Sequence, residues 1–266
     1  MSPHDASPAL PCRLDPDCDT ESPLHSTSDR PDTSSLPDPI SGSFGGLGGH
    51  DFFDTEPGRD HRPVVFVHGN RHDAHDFTAL ADRLLDAGYR GDALWAITFS
   101  ERTPRHGLMK DELDSFVTDV LDYTDADAID LVAHSLGVTG ARYWLSDRDR
   151  TDSVATLVGL AGPNHGTHLC SLCPTYTGKC KPCRFISPIQ RVPPLGRLHR
   201  LNHPDETPGD TDYYTIRATD DPYFPVNPQS PCLDGATNVA IETDDHMAVL
   251  LGDEALDSVE NWLTDQ

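Results

Sequence analysis

From residue 62 the chain settles into an alternation of short apolar runs and longer amphipathic stretches. Residues 62–69, RPVVFVHG, form a β-branched run closed by glycine, the pattern of a strand buried on both faces. Phe77, Leu80, Ala81, Leu84 and Leu85 then recur at helical spacing as far as Gly88, which suits a C-cap. LWAITF at 94–99 predicts the next strand, and Leu113, Phe116, Val117, Val120 and Leu121 mark the helix after it. IDLVAHS at 129–135 reads as a strand running into a helix that begins GVTGARYWL, and SVATLVGLAG at 153–162 as another apolar strand. YYTIRAT (213–219), NVAIET (238–243) and a last helix carrying Ala255, Leu256, Val259 and Trp262 complete the series. Strands and helices alternating at this spacing predict an α/β fold with a mostly parallel sheet covered on both faces, in which sites form at the carboxyl ends of strands.

Two segments break the rhythm. Residues 1–60 carry prolines at 3, 8, 11, 16, 23, 31, 37, 39 and 57 and include FGGLGGHDFFD at 44–54. So little apolar surface does not offset the entropy of ordering, so this segment is expected to be a disordered tail, with 61–266 as the folded domain. Residues 163–210, rich in Pro, Cys, His and Arg and without a period, are expected to form an insertion folded over the strand ends.

Charge changes the picture next. Over 266 residues, 44 acidic groups against 20 basic ones leave a formal charge of −24, with 36 Asp to 8 Glu and three lysines, Lys110, Lys179 and Lys181. The acid is read as scattered through helices and loops, which fits uniform solvation in molar salt, where the Debye length falls to about 3 Å, better than an acidic docking block. The same balance disfavours nucleic acid as a partner. The N-terminus shows no basic region, apolar core or twin arginine, and no window reaches membrane-spanning length. The expectation is a cytoplasmic protein, or an exported one should the start site lie elsewhere.

The candidate chemistry centres on DLVAHSLGVTG at 130–140. A-x-S-x-G between a strand and a helix is the setting of a nucleophile elbow: Ser135 is lifted above the sheet, and small residues at Ala133 and Gly137 let strand and helix approach. The strand exit VFVHGN at 65–70 would leave the Asn70 N–H free, and with the Leu136 N–H it would form an oxyanion hole. TDDPYFP at 219–225 places carboxylates at a strand end, with Asp221 the preferred acid and Asp220 the alternative. DDHMAVL at 244–250 supplies His246, which completes the chain order Ser, Asp, His.

These residues, with RPVVFVHGN, LAGPNHGT, ATDD and LDGATNVAIETDDHMAVL, resemble the small class 2 bacterial lipases of the α/β-hydrolase fold. The run from Pro63 to Cys170 also resembles extracellular polyhydroxybutyrate depolymerases with the same elbow. The resemblance implies an ester hydrolase acting on a small-molecule or lipid ester, with Ser135 as nucleophile, Asp221 as acid, His246 as base, Asn70 and Leu136 as oxyanion donors, His134 structural, and no cofactor needed for catalysis. A polymer-degrading enzyme and a catalytically silent binding protein are the alternatives.

Seven cysteines remain to be placed. Cys170, Cys173, Cys180 and Cys183 stand as C-x2-C-x6-C-x2-C, which suits either one structural zinc or disulfides between the knuckles or to Cys232. His165 and His168 are close enough in sequence to act as alternate ligands. Cys12 and Cys18 lie in the tail.

Overall fold

The computed structural model describes residues 35–173 and 178–265. Seven strands form one sheet in the order β1-β3-β2-β4-β5-β6-β7, with β1 at Gly45–Gly48, β2 at Val64–Val67, β3 at Leu94–Thr98, β4 at Ile129–His134, β5 at Val154–Leu160, β6 at Asp212–Ala218 and β7 at Thr237–Ile241. Strands β2 to β7 pair in parallel, and β1 lies antiparallel on β3. The strands expected from sequence are all present, within a residue or two at most ends.

Helices cover both faces. On one side, α3 (His106–Thr124) and α4 (Leu136–Arg148) bury Leu113, Phe116, Val120 and Trp144 against Val65, Ile97 and Leu131 of the sheet. On the other, α2 (Thr78–Asp86) and α8 (Asp253–Thr264) bury Leu80, Leu84, Leu256 and Val259 against Phe66, Val132 and Ile216. The 3.6-residue periodicity of each helix is the stripe that meets the sheet.

The tail expected over 1–60 needs correction at its end. Residues 35–60 pack onto the domain: Leu36, Ile40, Phe44 and Leu47 are buried, and Phe44 meets Phe116 edge-on at 5.3 Å. The strand there, GGLG, carries no β-branched signal; glycine is required instead, because a Cβ on Gly46 would lie 2.3 Å from the Ala96 carbonyl oxygen. A short helix, α1 (His50–Phe53), follows β1. Residues 1–34, with Cys12 and Cys18, lie outside the described residues.

The interval 163–210 leaves the carboxyl end of β5 and returns to β6, carrying the short helices α5 (Cys183–Ile186) and α6 (Arg197–Asn202). It is not coreless: Phe185, Ile186, Leu198 and Leu201 join the α3–α4 side of the core. A buried polar network also anchors it, in which the Arg142 guanidinium of α4 donates to the Asn164 and Asn202 side-chain oxygens at 3.1 and 3.0 Å and to the Glu206 carbonyl at 2.9 Å. Burial draws the Arg142 pKa down to about 10.

The four clustered cysteines form two nested disulfides between the knuckles, Cys170–Cys183 and Cys173–Cys180, and Cys232 is a free thiol. The zinc expectation on Cys170, Cys173, Cys180 and Cys183 is thereby replaced, since sulfurs bonded to each other are no longer thiolate ligands. His165 is engaged elsewhere, with Nε2 2.8 Å from Glu206. The last two helices are the short α7 (Ala248–Leu251) and α8; among the described residues no helix is long and apolar enough to cross a membrane.

Candidate active site

Strand β2 lies between β3 and β4, so the chain leaves β2 for one neighbour and then crosses back to the other. Loops after β2 and β4 therefore flank a switch point, where α/β sheets open a crevice. Ser135 follows β4 directly and turns the chain into α4 with φ 52° and ψ −122°, a strained backbone for a residue with a side chain. Its N–H is held by the Leu160 carbonyl at 2.7 Å.

Packing explains the small residues around it. A Cβ on Gly137 would lie 2.5 Å from the Val67 carbonyl oxygen and 2.6 Å from that of His68, so only glycine lets α4 start this close to β2. A Cβ on Gly69 would approach the Ser135 Cβ to 3.0 Å, which favours glycine at the strand exit. His68 itself is buried: its Nδ1 donates to the Gly69 carbonyl at 2.7 Å and its Nε2 accepts from the Phe99 N–H at 3.1 Å.

Ser135, His246 and Asp221 form one continuous hydrogen-bonded chain. The Ser135 Oγ is 2.9 Å from His246 Nε2, and His246 Nδ1 is 2.7 Å from Asp221 Oδ2. The carboxylate accepts, so the imidazole carries its proton on Nδ1 and offers the Nε2 lone pair to the hydroxyl. The other Asp221 oxygen accepts the Tyr223 N–H at 2.8 Å, which fixes the carboxylate plane. Asp221 and His246 are buried, and Ser135 is half-buried. Asp220, the alternative acid, is exposed. The rings of Tyr223 and His246 lie 4.4 Å apart, covering one face of the imidazole.

The expected oxyanion donors carry uncommitted N–H groups. Leu136 opens α4, so its N–H has no acceptor within the helix, and the Asn70 N–H makes no hydrogen bond among the described residues. His134 is wholly buried beneath, with Nε2 3.4 Å from the His246 carbonyl. Burial first, then the neighbouring histidines, hold it well below its ordinary pKa and therefore neutral. No local pattern in the sequence marks the Arg142–Asn164–Asn202 network, because a buried arginine in helix α4 meets the asparagine of LAGPNHGT only in the folded chain.

A profile of the class 2 lipase family, described as Lipase (class 2), matches residues 61–224. Among solved structures, the chain is similar to a mature lipase from Bacillus licheniformis, at 18% identity and TM-score 0.63, over 79% of this chain and 94% of that one. It is also similar to lipase B from Aspergillus fumigatus, at 14% identity and TM-score 0.59, over 77% of this chain and 52% of that one. A third, the monoacylglycerol lipase of Paleococcus ferrophilus, aligns at 14% identity and TM-score 0.52, over 77% of this chain and 96% of that one. Those structures share the fold, and the profile spans more than half of the sequence: the chain belongs to the class 2 lipase family of α/β-hydrolases.

Proposed function

We propose that this protein is a serine carboxylic ester hydrolase in which Ser135 is the nucleophile, His246 the base and Asp221 the acid that orients it. The hydrogen-bonded chain from Asp221 through His246 to Ser135 carries this reading. His246 Nε2 takes the hydroxyl proton as Oγ attacks the ester carbonyl, and the tetrahedral oxyanion is received by the Asn70 and Leu136 N–H groups. Collapse expels the alcohol, protonated from His246, and water then repeats the sequence on the acyl-enzyme. Every step uses side chains and backbone alone.

Labelling with a fluorophosphonate and turnover of short p-nitrophenyl esters test the assignment. Wild-type protein is expected to take one label per chain, and Ser135→Ala to take none and lose activity by at least about 10³-fold. Labelling of the alanine variant would sink it.

A polyester depolymerase is the second reading. Leu172, Ile189, Val192 and Leu195 stand exposed on the insertion, where a solid polymer could be gripped, whereas Phe224 is buried and Tyr223 is packed on His246. Release of hydroxybutyrate from polymer films at a rate matching that on soluble esters would favour it. The silent-protein alternative is disfavoured by the intact chain of catalytic groups. Two disulfides favour an oxidising compartment over the cytoplasm, and the −24 charge favours a salt-rich medium.

A further inference from the structure

The acidic residues that dominate this protein stop at the insertion. No Asp or Glu occurs between Asp152 and Asp205, whereas Lys179, Lys181, Arg184, Arg191, Arg197 and Arg200 all do. Acid is therefore not spread uniformly, and the folded chain concentrates what cation it has. Arg184, Arg197, Arg200 and Lys181 converge with Arg105 on a cavity of about 660 Å³ between the insertion, the first two turns of α3 and Tyr143 in the middle of α4. Phe185, Tyr143 and Leu108 supply its apolar wall.

Elsewhere the scarce cations are neutralised, as Arg62 is by Asp130, Arg83 by Asp253, Arg148 by Asp111 and Arg150 by Asp114. In the cavity Lys181 meets Glu101 at 3.0 Å and Arg197 reaches only the Arg184 carbonyl at 3.4 Å. Arg105, Arg184 and Arg200 make no ion pair among the described residues. Two carboxylates also line the space but are committed elsewhere: Glu112 to Ser43 and to the N–H of Ser100, Asp111 to Arg148. Three exposed guanidinium groups without an ion pair thus line one concavity of a protein otherwise rich in carboxylates, and a ligand bearing more than one negative charge would meet several of their forks at once.

One further observation points into the same space. Gly107 opens onto empty space at the start of α3, a 19-residue helix whose N-cap residue, Arg105, provides no side-chain cap. None of Ser135, Asp221, His246, Asn70 or Leu136 lines the cavity.

We propose that this cavity is an anion site for a phosphate group, held by the forks of Arg105, Arg184 and Arg200 with Arg197 adding charge. Planar guanidinium groups match a tetrahedral oxyanion in pairs, and the Phe185–Tyr143 wall accepts an organic body attached to it. The phosphate could belong to a free phosphorylated molecule or to a lipid headgroup.

Calorimetric titration of the full chain with pyrophosphate, at about 0.15 M ionic strength, tests the site. Saturable binding with a Kd of about 1 mM or tighter is expected. Arg184→Gln with Arg200→Gln is expected to weaken it at least tenfold, while Arg83→Gln, which removes charge on α2, leaves it within twofold. Sedimentation with phosphatidylglycerol vesicles separates the sources: co-sedimentation lost in the double variant assigns the lipid headgroup, and its absence beside pyrophosphate binding assigns a free compound. Should the double variant not fold, Arg184→Lys keeps the charge, loses the fork and is expected to weaken binding several-fold. No saturable pyrophosphate binding by the wild type, or equal weakening by Arg83→Gln, overturns the proposal.

Discussion

Ser135 occupies a backbone conformation that no side chain adopts freely, and the neighbouring residues exist to permit it. Gly137 is the most constrained of them, because the atoms a Cβ would strike are backbone carbonyls that cannot rotate away. Gly137→Ala is therefore expected to push α4 off β2, costing about 1–3 kcal/mol of stability and displacing the Leu136 N–H from Ser135. Denaturant melts should show the first effect, and a fall in kcat for p-nitrophenyl esters larger than any change in KM the second. A fully active, fully stable alanine variant would contradict the packing argument. Gly107→Ala is the contrast, since nothing lies within 4 Å of its Cβ position.

At the scale of elements, the insertion combines three kinds of attachment: the apolar residues Phe185, Ile186, Leu198 and Leu201, the Arg142 network, and the nested disulfides. The outer bridge closes a loop with a sequence separation of 13, and constraining an unfolded loop of that size is worth about 3 kcal/mol in the chain-entropy model. Replacing Cys170 and Cys183 by Ser is expected to lower unfolding stability by about 2–3 kcal/mol. The domain should nevertheless stay folded, because the apolar and polar anchors remain. Mass spectrometry of unreduced, alkylated protein should find Cys232 modified and Cys170, Cys173, Cys180 and Cys183 protected. Alkylation of all four without reductant would return the cluster to a thiol or metal-binding role.

Two whole-molecule properties follow from charge and burial. At −24 the compact state repels itself, so the melting temperature is expected to rise as salt increases from about 0.1 M to 1 M, where screening shortens from about 10 Å to 3 Å. A flat or falling curve would remove the argument for a saline habitat. Acid acts through the buried histidines. Burial draws His68 down to about 4 and His106 down to about 3, in the second case helped by Arg197. Both lie below the ordinary 6.5, so as pH falls the unfolded chain takes up protons first. Stability is complete above pH 6.5 and declines as pH drops toward 4 and 3, by about 2 kcal/mol per histidine at pH 5. His106→Gln should flatten part of that slope in melts between pH 7 and 5.

Much of this architecture is legible in the order of residues. Strands β2 to β7 and the principal helices are written in period-2 runs and 3.6-residue stripes, because burial on one or both faces selects residues locally. Ser135, Asp221 and His246 are legible for a related reason: each follows a strand, and a parallel sheet delivers all its carboxyl ends to one edge. Only the folded chain decided the rest. Strand β1 is glycine chosen for close approach to β3, which has no apolar signature, and the sulfur pairing depends on how the two knuckles meet in space. The choice of Asp221 over Asp220 rests on which side of one turn faces His246. The cationic cavity belongs to the same class, since Arg105 and Arg200 stand 95 positions apart and share a site only because the insertion folds back over α3. Periodicity reports how a segment meets the core; contacts between distant segments leave no period to read.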